Sequence, residues 1–353
     1  MRDRLRHRAR AQVMPWFLGA VLLVVLSLGL IEDGMVLFAG HRRATLLAEA
    51  AARAGASRID LASMLRDLLS TECPTTLVRT LRESATESVP TALWKALASA
   101  GVLGLPFVEE YGGSGGRLSD LGIFYVEAGR ALCPMAVHGT IHAALMIDSL
   151  GGTEQKAAWL PGLVTGAFRG TTAVCSARDA SDVTARLRAE RDPDGVWSLR
   201  GTIDFVGDAQ GADILVVTAA DAESHRTLGF VVDGRAPGLI IKPLAVMGGY
   251  RTFAVRFDDV RVNDSNAVLG DENGAGLGQD DLRRVANAGV ALLSLDLVGV
   301  GEAVLQRTVR YITMRHQFGR PIASFQSAQH LVANMHIALA AARLAAHSAV
   351  FWI

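Results

Sequence analysis

His138 and His142 stand four residues apart in AVHGTIHAAL, a spacing that puts two imidazoles on one helix face, where a metal could be held. The metalloprotease pattern needs a glutamate directly after the first histidine, and Gly139 stands there. Both are read as structural or solvent-facing residues, and no metal site is expected. Gly274, Ala275 and Gly276 sit between a strand and a helix pattern and invite a dinucleotide fingerprint. Gln279 fills the third glycine position, however, and no crossover to a parallel strand follows, so a loop is the reading. Gly112, Gly113, Gly115 and Gly116 precede a helix with no strand leading in, and read as a tight connection. Cys73, Cys133 and Cys175 contain no CxxC, leave an odd count and lie far apart in the chain. That argues against a disulfide framework and a zinc site, and for a reducing, cytoplasmic compartment. Cys175 has no histidine nearby in sequence and reads as a small buried residue rather than a nucleophile.

The elements that must position these residues fall into three blocks. From Arg58 to Gly166 apolar residues recur at helical spacing, in IDLASMLRDLL, ALWKALASAGVLGL, LSDLGIFYVEAGRAL and EQKAAWLPGLV. Breaks fall at Cys73-Pro74, at EEYGGSGG, at Cys133-Pro134 and at Gly151-Gly152-Thr153, where Thr153 is expected to cap the next helix. From Thr171 to Val268 the pattern turns to short β-branched runs separated by turn signals such as Asp192-Pro193-Asp194-Gly195. Seven such runs predict a barrel or sandwich. Helical periodicity returns in two long stretches, Asp281 to Arg315 and Ile322 to Ile353, parted by Phe318-Gly319-Arg320-Pro321. The last stretch closes without a helix stop signal, and two long amphipathic helices alone leave an apolar face uncovered. Oligomerisation, truncation, or both are expected.

The chain has 353 residues, 35 Lys+Arg and 35 Asp+Glu, so no chain-wide field selects nucleic acid or anionic lipid as a partner. Half of the residues are hydrophobic and the mean hydropathy is +0.28, an excess with a local source. Residues 15–31 contain WFLGAVLLVVLSLGLI without a charge, preceded by Arg2, Arg4, Arg6, Arg8 and Arg10. Seventeen residues reach about 25 Å as a helix, the short limit for a membrane span and the long limit for a signal-peptide core. Two readings stay open: a membrane anchor or export signal, or a segment outside the functional fold, with Met35 or Met64 as alternative starts.

Several segments resemble the acyl-CoA dehydrogenase family of flavoproteins, from about Arg58 onward. LWKALASAGVLGLPFVEEYGGSGG resembles the family's amino-terminal domain, and GADILVVTA with RTFAVRFDDVRV and LGDENGAGLG its middle domain and exit. MRHQFGRPIASFQ is similar to the family's Arg-x-x-Phe-Gly signature with its trailing Phe-Gln. The resemblance implies an α+β multidomain fold divided as follows: an extension over 1–57, a helical domain over 58–168, a middle β-domain over 169–270 and a partial helical bundle over 271–353. It implies α,β-dehydrogenation of an acyl-CoA thioester, fatty acyl or steroid side-chain. A carboxylate takes the α-proton, the β-hydrogen leaves as hydride to FAD, and the electrons pass to an acceptor protein. It also implies a homo- or hetero-oligomer, dimer or tetramer.

By the same resemblance Arg315, Phe318, Gly319 and Gln326 contact the FAD diphosphate and adenine, typically across a subunit boundary. Where the family reads Thr-Glu-Pro-x-Ala-Gly-Ser-Asp, the chain has Cys175 to Asp182, keeping only Ser181-Asp182, with Cys175 beside the flavin. The family's Trp-Ile-Thr strand becomes Phe205-Val206-Gly207, which keeps an aromatic wall and loses the threonine. The catalytic carboxylate is unassigned. The positions where some members carry a Glu-Arg pair align with Gly289 and Val290, and Asp296, seven residues on, is the nearest carboxylate on that helix face. A base in missing sequence or in a partner subunit, or a catalytically silent structural subunit, both satisfy this pattern.

Overall fold

The computed structural model describes residues 41–84, 89–174, 182–246, 251–264, 267–270 and 275–353. The apolar run over 15–31 and the flavin-motif residues Cys175 and Ser181 lie outside them. The chain divides into two compact units, Met1–Ile59 and Asp60–Ile353.

The helices of the second unit are α1 (His41–Glu72), which belongs to it from Asp60 onward, α2 (Thr75–Glu83), α3 (Thr91–Ser99), α4 (Leu118–Ala131), α5 (Met135–Leu150) and α6 (Thr153–Val164). The sheet follows: β1 (Gly170–Ala173), β2 (Leu187–Arg191), β3 (Trp197–Gly207), β4 (Ile214–Asp221), β5 (Thr227–Asp233), β6 (Leu239–Leu244), β7 (Thr252–Val262) and β8 (Val268–Leu269). Two long helices close the described order, α7 (Gln279–Met314) and α8 (Gln326–Trp352), with the short strands β9 (His316–Gln317) and β10 (Arg320–Pro321) between them. Thr153 is the first residue of α6 and not its cap: Gly152 occupies the cap position and no side chain bonds there.

The strand block forms one mixed sheet in the order β6-β7-β3-β2-β4-β5-β8. The parallel strands β1 and β2 share one side of β4, in register at Gly170 to Ile214 and Leu187 to Ala219. The strands β2, β3 and β7 alternate buried and exposed positions, while β4 is buried at nearly every position, as its unbroken run ILVVTA requires.

Two cores result. One packs the sheet against Ala143, Ala144, Met146 and Ile147 of α5 and Leu282, Val285 and Ala286 of α7. The other is all helical and takes Ala136, Val137 and Ile141 of α5 with Ala291, Leu292, Leu295 and Val298 of α7. Thus α5 and α7 each pass from one core to the other partway along their length. In the helical core α4 and α7 cross closely at glycines: a β-carbon on Gly129 would lie 1.9 Å from the Asp296 carbonyl oxygen, and one on Gly299 1.9 Å from that of Val126. Each buried leucine in these layers contributes about 1.5–3 kcal/mol by leaving water.

α7 is long and apolar enough to cross a membrane, the only such helix among the described residues. Ten of its residues are buried against the rest of the unit, which accounts for its composition as a core helix. Its outer face and that of α8 leave Leu297, Val304, Tyr311, Met314, Leu331, Ile337 and Leu344 exposed.

Candidate functional site

Where α5 and α7 change cores, a cavity of about 520 Å³ opens between them, β1 and β3. Its lining includes Met135, His138 and His142 from α5, Thr171 to Val174 around β1, Ile203 to Gly207 from β3, and Ala286, Gly289, Val290 and Leu293 from α7. Arg251 and Thr252 complete one side.

The histidine pair is structural in its bonding, yet it lines this cavity. The two rings stack with centroids 5.6 Å apart and planes 15° from parallel. His142 Nδ1 lies 2.8 Å from Thr172 Oγ1 and Nε2 lies 3.1 Å from the Val285 carbonyl oxygen. A carbonyl only accepts, so Nε2 carries the proton and Nδ1 accepts from the threonine hydroxyl. Burial holds the His142 pKa down, opposed by the Val285 carbonyl. His138 Nδ1 is 2.7 Å from the hydroxyl of Tyr125. Burial, with the neighbouring His142 second, lowers the His138 pKa to about 3, and burial pushes Tyr125 well above the ordinary tyrosine range. Burial thus holds both imidazoles toward the neutral form. Among the described residues no group of three potential ligands is placed to hold a metal.

Gly289 explains itself against this pair. A β-carbon there would stand 2.8 Å from His142 Nε2, 3.0 Å from Cδ2 and 3.2 Å from Cε1. The place on α7 to which the resemblance points for a carboxylate is thus next to a ring held on both nitrogens. Asp296 does not substitute, since it is absent from the cavity lining and lies at the crossing with α4. Its carboxyl is raised to about 6 by burial.

On the opposite wall a bulge sets Phe205. Ile203 pairs with Val255 and Val206 with Phe253, so Asp204 and Phe205 together face the single residue Ala254. Phe205 adopts a left-handed φ of 62°, unusual for an aromatic residue, and remains 56% exposed on the cavity wall. Two residues on, a β-carbon on Gly207 would meet nothing within 4 Å, and its carbonyl accepts a 2.6 Å bond from Thr171 Oγ1. A flat aromatic ligand fits this wall: an exposed ring, open space over a bare backbone, and an apolar face opposite. The resemblance named Phe205 and Gly207 here, and both line the cavity.

Arg251 and Asp204 are the charged side chains of the lining, and neither was singled out in the sequence. Arg251 is held by Asp208, Nε to Oδ1 3.2 Å, and its guanidinium also reaches the Ser84 carbonyl at 3.3 Å. Asp208 is buried, and burial outweighs the arginine to raise its carboxyl to about 6.

Arg315, Phe318, Gly319 and Gln326 cluster elsewhere, at the turn between α7 and α8, and none lines the cavity. Strands β9 and β10 pair His316 with Pro321 and Gln317 with Arg320, so Phe318 and Gly319 form a two-residue hairpin turn with φ of 52° and 78°. Phe318 is 93% exposed, and Arg320 lies over the Phe325 ring at 4.2 Å.

A helical domain, a central sheet, a long-helix bundle and an aromatic-walled cavity between them define the class of flavoprotein oxidoreductases to which the motifs point. Residues 44–167 match the acyl-CoA dehydrogenase N-terminal domain and residues 283–351 the acyl-CoA dehydrogenase C-terminal domain. The chain is 32% identical over 268 residues to mitochondrial isovaleryl-CoA dehydrogenase of Pongo abelii, covering 71% of this chain and 61% of that protein. It is 31% identical over 272 residues to L-prolyl-(peptidyl-carrier protein) dehydrogenase of Pseudomonas fluorescens, covering 71% and 68%. Among solved structures, the steroid ACAD Tcur3481-Tcur3483 superposes with a TM-score of 0.72 at 30% identity, over 84% of this chain and 77% of that one. The chain belongs to the acyl-CoA dehydrogenase family.

Proposed function

We propose that the chain binds FAD with the ring against Phe205 and Gly207 and takes part in α,β-dehydrogenation of an acyl-CoA thioester, fatty acyl or steroid side-chain. The observation that carries this reading is the bulge that presents Phe205 beside the open backbone of Gly207 on the cavity wall. The chemistry FAD supplies when bound is two-electron oxidation of the acyl chain, with onward transfer to a separate acceptor protein. The residues of this chain that would hold FAD are Phe205 and Gly207, with Thr171 fixing the Gly207 carbonyl and the stacked His138–His142 pair keeping that side of the cavity uncharged. The base comes from a partner subunit or from chain outside the described residues. Arg315, Phe318, Gly319 and Gln326, remote from the cavity, serve the FAD of a neighbouring subunit. The exposed apolar faces of α7 and α8 support an oligomer.

A second reading, a catalytically silent structural subunit, draws on one observation: the α7 position that aligns with a family glutamate is a glycine closed off by His142. The absorption spectrum of the purified protein, alone and co-expressed with homologous subunits, separates the two. Flavin occupancy with bleaching on addition of an acyl-CoA supports the enzyme. Flavin that never bleaches favours the silent subunit, and a protein colourless in every combination overturns FAD binding.

A further inference from the structure

The stacked histidines differ in how their nitrogens are used. Thr172 Oγ1 and the Val285 carbonyl engage both nitrogens of His142, and the Tyr125 hydroxyl engages Nδ1 of His138. The fourth nitrogen, His138 Nε2, has no hydrogen-bond partner among the described residues. Nor does it belong to the buried polar atoms that lack one, so it is open to the cavity that His138 lines.

The ring that carries this nitrogen is fixed in place. It stacks on His142, one turn further along α5, and meets Tyr125 edge-on, with centroids 5.7 Å apart and planes 84° from parallel. Tyr125 is buried in the helical core, so its 2.7 Å bond to Nδ1 ties the imidazole to that core. Around His138 the helix-side wall is apolar: Met135 and Gly139 of α5, with Ala286, Gly289, Val290 and Leu293 of α7. A ligand filling this side with hydrocarbon alone leaves Nε2 without a partner, at the cost of any polar group taken from water unpaired. The charged lining residues, Asp204 on β3 and Arg251 next to β7, belong to the sheet side.

The proton on the imidazole narrows the chemistry of a matching group. A neutral imidazole carries one proton: if the phenol donates to Nδ1, Nε2 donates, and if Nδ1 donates to the phenol oxygen, Nε2 accepts. A carbonyl or ether oxygen satisfies only the first arrangement, whereas a hydroxyl satisfies both. Burial disfavours the imidazolium, and with it a carboxylate partner.

We propose that His138 is a specificity-determining residue whose Nε2 hydrogen-bonds a hydroxyl group on the acyl chain of the substrate, which makes the substrate class a hydroxylated acyl-CoA. The inference rests on the acyl-CoA reading above. With FAD against Phe205 and Gly207 on the opposite wall, the α- and β-carbons lie towards that wall, and the hydroxyl is carried by a more distant carbon that does not react. A site built to bond a hydroxyl discriminates against the analogue without one, because its own polar group is then left unpaired.

The test measures by calorimetry the dissociation constants of straight-chain acyl-CoAs of short, medium and long chain, each beside its ω-hydroxy and ω-carboxy counterparts, on the protein purified with any co-expressed subunits. At the chain length that reaches His138, the hydroxylated member is expected to bind about 3- to 10-fold tighter than its parent. His138→Leu is expected to lose that preference while binding the parent at least as well. His138→Gln, whose amide both donates and accepts, is expected to retain part of it. Equal binding of parent and hydroxylated members at every chain length in the wild type overturns the proposal without recourse to any variant. Tightest binding of the ω-carboxy members, or a hydroxyl preference that survives in His138→Leu, also overturns it. A wild-type protein that binds none of these thioesters overturns the acyl-CoA reading itself and the hydroxyl contact with it, a result distinct from binding without discrimination.

Discussion

The imidazole of His142 packs against the α-carbon of Gly289, so a β-carbon at that position would approach Nε2 to 2.8 Å. Because both ring nitrogens are bonded, to Thr172 and to the Val285 carbonyl, the ring cannot turn aside without losing a buried hydrogen bond. The histidine on α5 and the glycine on α7 therefore define each other, at the level where both helices leave one core for the next.

A double-mutant cycle tests that coupling. Gly289→Ala gains about 1 kcal/mol of helix propensity and loses about 1–3 kcal/mol to overpacking against His142. It is expected to destabilise the wild type and to stabilise a His142→Ala background by about 1 kcal/mol. Denaturant unfolding of the four proteins checks both signs.

Phe205 sits in a left-handed conformation that costs an aromatic residue roughly 1–2 kcal/mol. Asparagine adopts that conformation readily, so Phe205→Asn is expected to keep stability within about 1 kcal/mol while lowering flavin occupancy. Melting temperature and the flavin-to-protein absorbance ratio, measured on one preparation, separate the two effects.

The turn at Phe318 supplies a parallel case remote from the cavity. Phe318→Asn is expected to gain up to about 1 kcal/mol at this exposed left-handed position. If the residue serves a neighbouring subunit's cofactor, flavin retention falls although the chain is more stable, and gel filtration with absorbance detection reads both retention and assembly.

Asp208 and Asp296 both have carboxyls raised to about 6 by burial. The folded chain keeps these protons up to about pH 6, whereas the unfolded chain releases them near pH 4, so between those values the folded state binds more protons. Stability on their account is greatest below about pH 4 and falls as pH rises towards 6, by up to about 3 kcal/mol for each. Asp296→Asn is expected to flatten that slope and to be the more stable protein at pH 7, as unfolding titrations at several pH values will show.

Glu127 is 3% exposed and holds Arg66 and Arg130, the latter also paired with Glu302, which reaches Arg343 at 3.2 Å. This chain of charges joins α1, α4, α7 and α8. Glu127→Ala leaves the largely buried Arg130 with one partner fewer, and a loss of about 3–5 kcal/mol is expected. Glu127→Gln, which keeps the shape and part of the bonding, loses less, and thermal unfolding ranks the two.

The order of helices, strands and helices was legible in the sequence because periodicity reports which face of each element is buried, and burial is a local property of the pattern. The motifs around Phe205 and Phe318 were legible for the same local reason, since each lies within a few residues of its signature. Thr153 was misplaced because a cap depends on the backbone turn, and Gly152 supplied that turn. The cysteines were read as separate because spacing along the chain says nothing of how close the end of α1 comes to the end of α4, where the Cys73 thiol reaches the Ala131 carbonyl. The histidine pair could be placed on one helix face from its spacing alone, but not against Gly289. Tertiary structure decided that neighbour, the bulge that turns Phe205 to the cavity, and the separation of the α7–α8 turn from it. Each rests on the meeting of segments far apart in sequence, where packing and buried hydrogen bonds, not local propensity, select the contact.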